Sequence, residues 1–120
     1  MADEITISVS MHASKDGVVA SRSESFTADM TGNTVNHGVQ NIGTGGEILE
    51  HNELVAEGTA GWVFLKNLDA TNFVTIGTHQ TDDHTIKLLP GESTLFRADG
   101  NLYAMADTDT LWLEWYVIEV

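Results

Sequence analysis

Five histidines, His12, His37, His51, His79 and His84, supply the side chains best suited to titrate near neutral pH or to hold a transition metal through nitrogen. Metal-binding strands of the cupin kind place two histidines one residue apart and follow them with a glutamate. Here the nearest pair is His79 and His84, with Gln80-Thr81-Asp82-Asp83 between them. That spacing spans a loop and does not set both imidazoles on one face of one strand. His79, Asp82, Asp83 and His84 could still converge on a divalent ion. The plainer reading, a solvated hairpin tip, is adopted.

The carboxylates gather at Asp82-Asp83, at Asp107 and Asp109, and at Glu47, Glu50, Glu53 and Glu57. Paired acids can run glycoside hydrolysis, and Asp-rich loops can bind calcium. Yet Asp107-Thr108-Asp109 lacks the glycine and the later bidentate glutamate of an EF-hand loop. Adjacent Asp82 and Asp83 would point to opposite sides of an extended chain. Serines are plentiful, but no G-x-S-x-G elbow is present. Gly43-Thr44-Gly45-Gly46 lacks the lysine and following helix of a phosphate loop. No catalytic, metal-ligating or cofactor-binding residue is assigned, no cofactor is expected, and the chain is read as a non-enzyme.

The aromatics Trp62, Trp112, Trp115 and Tyr116 offer a different chemistry. Such rings can line a sugar-binding face, or they can fill a core with Phe64, Phe73 and Phe96; the core reading is adopted. Trp112 and Trp115 are three apart, so on a strand they face opposite ways and at least one leaves its own core. An exposed tryptophan beside Tyr116 implies a contact buried against another subunit.

The elements that must position these residues read as strands throughout. Ile5, Ile7, Val9 and Met11 alternate with Thr6, Ser8, Ser10 and His12, a period-two strand with one wet face. Lys15-Asp16-Gly17 is a turn, and Val18 to Ala28 a second strand whose serines suit an edge or a long exposed hairpin arm. Thr31-Gly32-Asn33 turns into a third stretch, Thr34 to Ile42. Glu47 to Glu57 fits either a helix with Ile48, Leu49, Asn52, Val55 and Ala56 on one rough face or two short strands about a bend, Glu47-Ile48-Leu49 and Leu54-Val55-Ala56; the strand reading is adopted.

Gly61 to Leu68 is apolar on both faces, as a central or interface strand would be. Asp69 to Asn72 is a tight loop from which Phe73 to Thr78 is expected to return as a hairpin. Thr85 to Leu89 follows, and Leu89-Pro90-Gly91-Glu92 reads as a type II turn. Ser93 to Arg97, Leu102 to Ala106 and Leu111 to Val120 complete the series. Eight to ten short strands at a spacing of about 8–12 residues, without long helices, predict an all-β, antiparallel β-sandwich of jelly-roll type.

At 120 residues the chain is expected to form a single β-sandwich domain over 1–120, with residues 1–7 as an extended N-terminal arm. A chain of this size buries roughly 65% of its unfolded surface, enough for one core. It has no cysteine, so packing must hold it together. Eighteen acids against five bases give a formal charge of −13, which argues against nucleic acid and anionic membranes as partners. The first residues lack the basic and apolar regions of a signal peptide, and no apolar run reaches the roughly 20 residues of a membrane span. The expectation is a soluble protein made in the cytoplasm.

The run from Gly61 to Gly77, with Asn67-Leu68-Asp69 and Thr71-Asn72-Phe73 at its centre, resembles a hairpin pattern in small structural proteins of tailed bacteriophages. Leu88-Leu89-Pro90-Gly91-Glu92 with Leu95-Phe96-Arg97 is similar to the turn that follows it there, and Leu102-Tyr103-Ala104-Met105-Ala106-Asp107-Thr108 to the next strand. The resemblance covers most of the chain and is strongest from Gly61 onward. It implies a small jelly-roll or β-tulip-like protein, often trimeric, that docks on capsid hexamers or threefold sites. On that basis the expected function is capsid decoration (cement) on the virion surface, with the major capsid protein and copies of itself, as a homotrimer, for partners. A tail, fibre or baseplate module and a carbohydrate-binding β-sandwich are the alternatives. The expected contact residues are Asp3, Glu4 and Ile5, within an N-terminal segment 1–7 that would add as a strand to a neighbour, and Trp112, Trp115 and Tyr116.

Overall fold

Period-two alternation of apolar residues marks the first and last strands, and β-branched and aromatic residues bounded by turns mark most of those between. The computed structural model describes residues 4–30, 35–50 and 61–119, and all ten elements among them are strands. They are β1 (Ile5–Lys15), β2 (Val18–Ala28), β3 (Val35–Ile42), β4 (Glu47–Ile48), β5 (Trp62–Asn67), β6 (Val74–Gly77), β7 (His84–Leu88), β8 (Ser93–Arg97), β9 (Tyr103–Ala106) and β10 (Leu111–Ile118). All pairings are antiparallel, in a two-stranded sheet β1-β2 and two four-stranded sheets, β3-β10-β5-β8 and β4-β9-β6-β7. The all-β reading is therefore met. The expected turn at Thr31-Gly32-Asn33 and the strand at Leu54-Val55-Ala56 lie outside the described residues.

The chain divides into two compact units, Met1–Thr31 and Gly32–Val120. In the first, β1 and β2 pair over their full length, from Ile5 opposite Ala28 to Lys15 opposite Val18. Asp16 and Gly17 both take positive φ, 51° and 83°, the two-residue type I′ geometry whose twist matches the flanking strands. One face of the ribbon carries Ile7, Val9, Met11 and Phe26. The other carries Thr6, Ser8, Ser10, Ser21, Ser23 and Ser25. Ile5 and Ile7 are buried, and from Val9 onward the ribbon is exposed. Residues 5–7 thus open a paired strand and do not form the extended arm expected of 1–7.

In the second unit each strand pairs with its mirror image about the β6–β7 connection: β6 with β7, β5 with β8, β4 with β9 and β3 with β10. The connections β3–β4, β5–β6, β7–β8, β8–β9 and β9–β10 each pass from one four-stranded sheet to the other. Inward residues of both sheets, among them Leu65, Val74, Ile76, Leu113, Trp115 and Val117, share one apolar cluster. Each fully buried aliphatic side chain there contributes about 1.5–3 kcal/mol.

The expected hairpin of Phe73 to Thr78 on Gly61 to Leu68 is not formed. β5 pairs with β8 and β10, β6 with β7 and β9, and the segment between them crosses from sheet to sheet. The reason lies at Asn67, a polar side chain with no solvent exposure. Its amide donates to the carbonyls of Asn72 (2.9 Å) and Leu88 (3.1 Å), and its side-chain oxygen accepts from the N–H of Asp69 (2.9 Å). Its backbone carbonyl accepts from Gly91 N–H (3.1 Å), and its own N–H donates to the Glu92 carbonyl (2.9 Å).

Two local devices complete this corner. The Asp69 carboxylate accepts from the N–H groups of Asn72 (2.6 Å) and Thr71 (3.0 Å), closing the loop into an Asx-type turn. Leu89-Pro90-Gly91-Glu92 forms the expected type II turn, with Gly91 at φ 82° and Glu92 N–H on the Leu89 carbonyl at 3.0 Å. That turn also joins strands of different sheets.

Replacing Asn67 by Ala strands the buried Leu88 carbonyl and the part-buried Asn72 carbonyl and should cost about 3 kcal/mol in denaturant unfolding; a loss under about 1 kcal/mol would show the corner to be dispensable. The Asp69 carboxyl is held below its ordinary value of 3.8, chiefly by the Asn72 and then the Thr71 backbone N–H groups. A lowered folded pKa stabilises above the unfolded value and is lost as pH falls through the folded one. Asp69→Ala should therefore melt below the wild type at pH 7, and the gap should close below about pH 3.8.

Candidate interaction surface

Residues Leu111, Leu113, Trp115 and Val117 of β10 face the core, and Trp112, Glu114, Tyr116 and Ile118 face away from it. Cross-strand register carries this outward face over the whole sheet. Tyr116 lies between His37 of β3 and Phe64 of β5, and Phe64 is opposite Leu95 of β8. One step along, Glu114 lies between Val39 and Lys66. In the other direction Ile118 lies between Val35 and Trp62, with Arg97 beyond. At the far end, the Leu68 N–H donates to the Trp112 carbonyl at 3.0 Å, extending the row.

The result is a four-stranded sheet that is apolar on both sides. Trp112 is 54% exposed and Tyr116 41%, and Val35, Val39 and Leu68 are exposed as well. The Tyr116 ring stacks on His37, centroids 4.6 Å apart and planes 15° from parallel. The Arg97 guanidinium sits 6.0 Å from the Trp62 ring centroid. Contiguous apolar patches on soluble proteins gather at interaction sites, which makes this face the candidate surface.

The expected contact residues separate. Trp112 and Tyr116 share the outer face, as the spacing required. Trp115 is 6% exposed and belongs to the core, with its indole packed alongside Gly38 of β3. It is therefore not an exposed contact residue. Asp3 lies outside the described residues. Glu4 is exposed, and its carboxylate accepts from Met30 N–H at 3.1 Å, closing the base of the ribbon. Ile5 is buried within β1.

The His79–His84 loop has a structural job. His84 Nε2 donates to the His79 carbonyl at 2.8 Å, which leaves Nδ1 to accept from the Thr75 hydroxyl at 2.9 Å. His79 Nδ1 meets the Asp83 carboxylate at 2.9 Å on the exposed side. Among the described residues no group of three or more His, Asp or Glu is placed to share a metal ion. His51, Glu53 and Glu57 lie outside them. No helix among them is long and apolar enough to cross a membrane.

Sequence reasoning treated Lys66, Val39 and Leu95 as ordinary strand residues. Their membership of one outward face depends on pairings between distant strands.

Opposite placements give the two tryptophans opposite costs. Trp115→Ala should lose about 3–5 kcal/mol in denaturant unfolding, as core truncations of this size do. Trp112→Ala should stay within about 0.5 kcal/mol. Equal losses would contradict the assignment of faces.

No protein-family model, curated protein or solved structure matches the chain.

Proposed function

We propose that this chain is a virion structural protein of a tailed bacteriophage, a capsid decoration protein that binds the major capsid protein lattice and stabilises the mature head. The observation that carries the reading is the β1–β2 ribbon. It is fully paired within itself, yet among the described residues each strand pairs only with the other, and Val9, Met11 and Phe26 stand exposed along its apolar face. A two-stranded ribbon alone is marginal in water. One with an exposed apolar face is suited to completion by another protein packed against that face.

The strand order supports the same reading. A long antiparallel hairpin whose strands pair as mirror images, rolled so that successive strands alternate between two sheets, is a jelly roll, an architecture common in capsid proteins. We read the second unit as such a sandwich. The charge of −13 keeps a protein needed in many copies soluble and suits a basic or mixed docking surface. Stabilisation of the head then follows mass action, growing as RT ln(1 + [L]/Kd) with free protein concentration.

Mixed with purified mature heads and purified tails of a phage that encodes it, the protein should co-sediment with heads to a fixed copy number. Met11→Asp, at a position 70% exposed, should keep the native circular dichroism spectrum and lose that binding. Binding to tails alone would move the protein to the tail or baseplate; binding to neither would overturn the virion reading.

A further inference from the structure

The outward face of β3-β10-β5-β8 reverses the acidic balance of the chain. Along its outward positions the only acid is Glu114, set against Lys66 and Arg97, so two bases less one acid leave it at +1 in a chain of −13. Glu114 and Lys66 are direct cross-strand neighbours near its centre, both half-buried. Neither side chain takes part in an ion pair or hydrogen bond among the described residues. Opposite charges this close, flanked by aromatic side chains and unpaired within the chain, suit a partner that carries the same pair in reverse.

From this geometry we infer that the face binds a second copy of the chain across a two-fold axis running parallel to the strands, between β10 and β5. That operation lays β10 of one copy over β5 of the other, row by row. Glu114 then faces the partner's Lys66, and Lys66 faces the partner's Glu114. Tyr116 meets the partner's Phe64, Ile118 the partner's Trp62, and Trp112 the partner's Leu68. A two-fold axis perpendicular to the strands would instead set β10 on β10 and bring Glu114 against apolar side chains with no cation opposite. Only the first arrangement satisfies both charges and buries the aromatic rows, and it is closed, so it stops at two copies. The contact is a sheet-on-sheet packing of the aligned kind. It stands independently of the virion reading.

Sedimentation velocity of the full chain over a concentration series tests it, with Glu114→Lys, Lys66→Glu and the double exchange. The wild type should dimerise reversibly. Each single reversal sets like charges in contact twice per dimer and should raise the dissociation constant about tenfold or more. The double exchange should restore it to within a few-fold. Where a reversed variant loses the native circular dichroism spectrum, Glu114→Gln and Lys66→Gln read the same contact by its weakening. A wild type that stays monomeric, a trimer, or a double exchange no better than the singles would overturn the inference. Quenching of tryptophan fluorescence in a monomeric wild type by a soluble oligosaccharide would overturn it too, and assign the face to glycan.

Discussion

Asn67 holds the architecture of the second unit to one connectivity. Its side chain is fully buried, and burying an amide is unfavourable unless its hydrogen-bonding groups are satisfied. Here the amide group makes two bonds as donor and its oxygen one as acceptor, to two segments, the loop after β5 and the end of β7, that meet when the chain crosses between sheets at both places. The Asp69 turn and the Pro90-Gly91 turn are the two crossings, and both are tied to the same residue. A β5–β6 hairpin would leave the amide without the Leu88 carbonyl and bring two apolar strands into one sheet. The crossing permits the mirror pairing of β3 to β10.

This dependence explains what the sequence disclosed and what it concealed. Strand identity was legible nearly everywhere, because alternation at Ile5 to Met11, at Trp62 to Asn67 and at Leu111 to Ile118 needs only local chain to be read. Turn chemistry was legible for the same reason: Asp16-Gly17 and Pro90-Gly91 carry their φ requirements in their residue types. Strand partnership was not. Asn67-Leu68-Asp69 looks like a hairpin tip, and the bonds that make it a crossing reach to Leu88 and Glu92, more than 20 residues along the chain.

The surface shows the same division between local and distant. That Trp112 and Trp115 face opposite ways followed from their spacing. Local reading leaves open which one is buried, because apolar residues stand on both faces: Leu111, Leu113 and Val117 with Trp115, and Tyr116 and Ile118 with Trp112. The extent of the outer face was beyond reach, since it joins β3, β10, β5 and β8 by pairings of long sequence separation. The serines of β2 suited either an edge strand or an exposed hairpin arm, and the apolar side of β1 was visible as the Ile7, Val9, Met11 series. What local reading could not supply was that Ile5 is already paired with Ala28 and is no free strand.

A sheet apolar on both faces, and a ribbon with an exposed apolar face, support one account of this chain, the proposal that its folded surface is completed by other proteins. Its central claim is that the Trp112 and Tyr116 face becomes dry on association. The direct measurement is acrylamide quenching of tryptophan fluorescence as protein concentration is raised through the association range. The account predicts that the readily quenched fraction, carried by Trp112, disappears as the assembly forms. Full assembly with that fraction unchanged would contradict it.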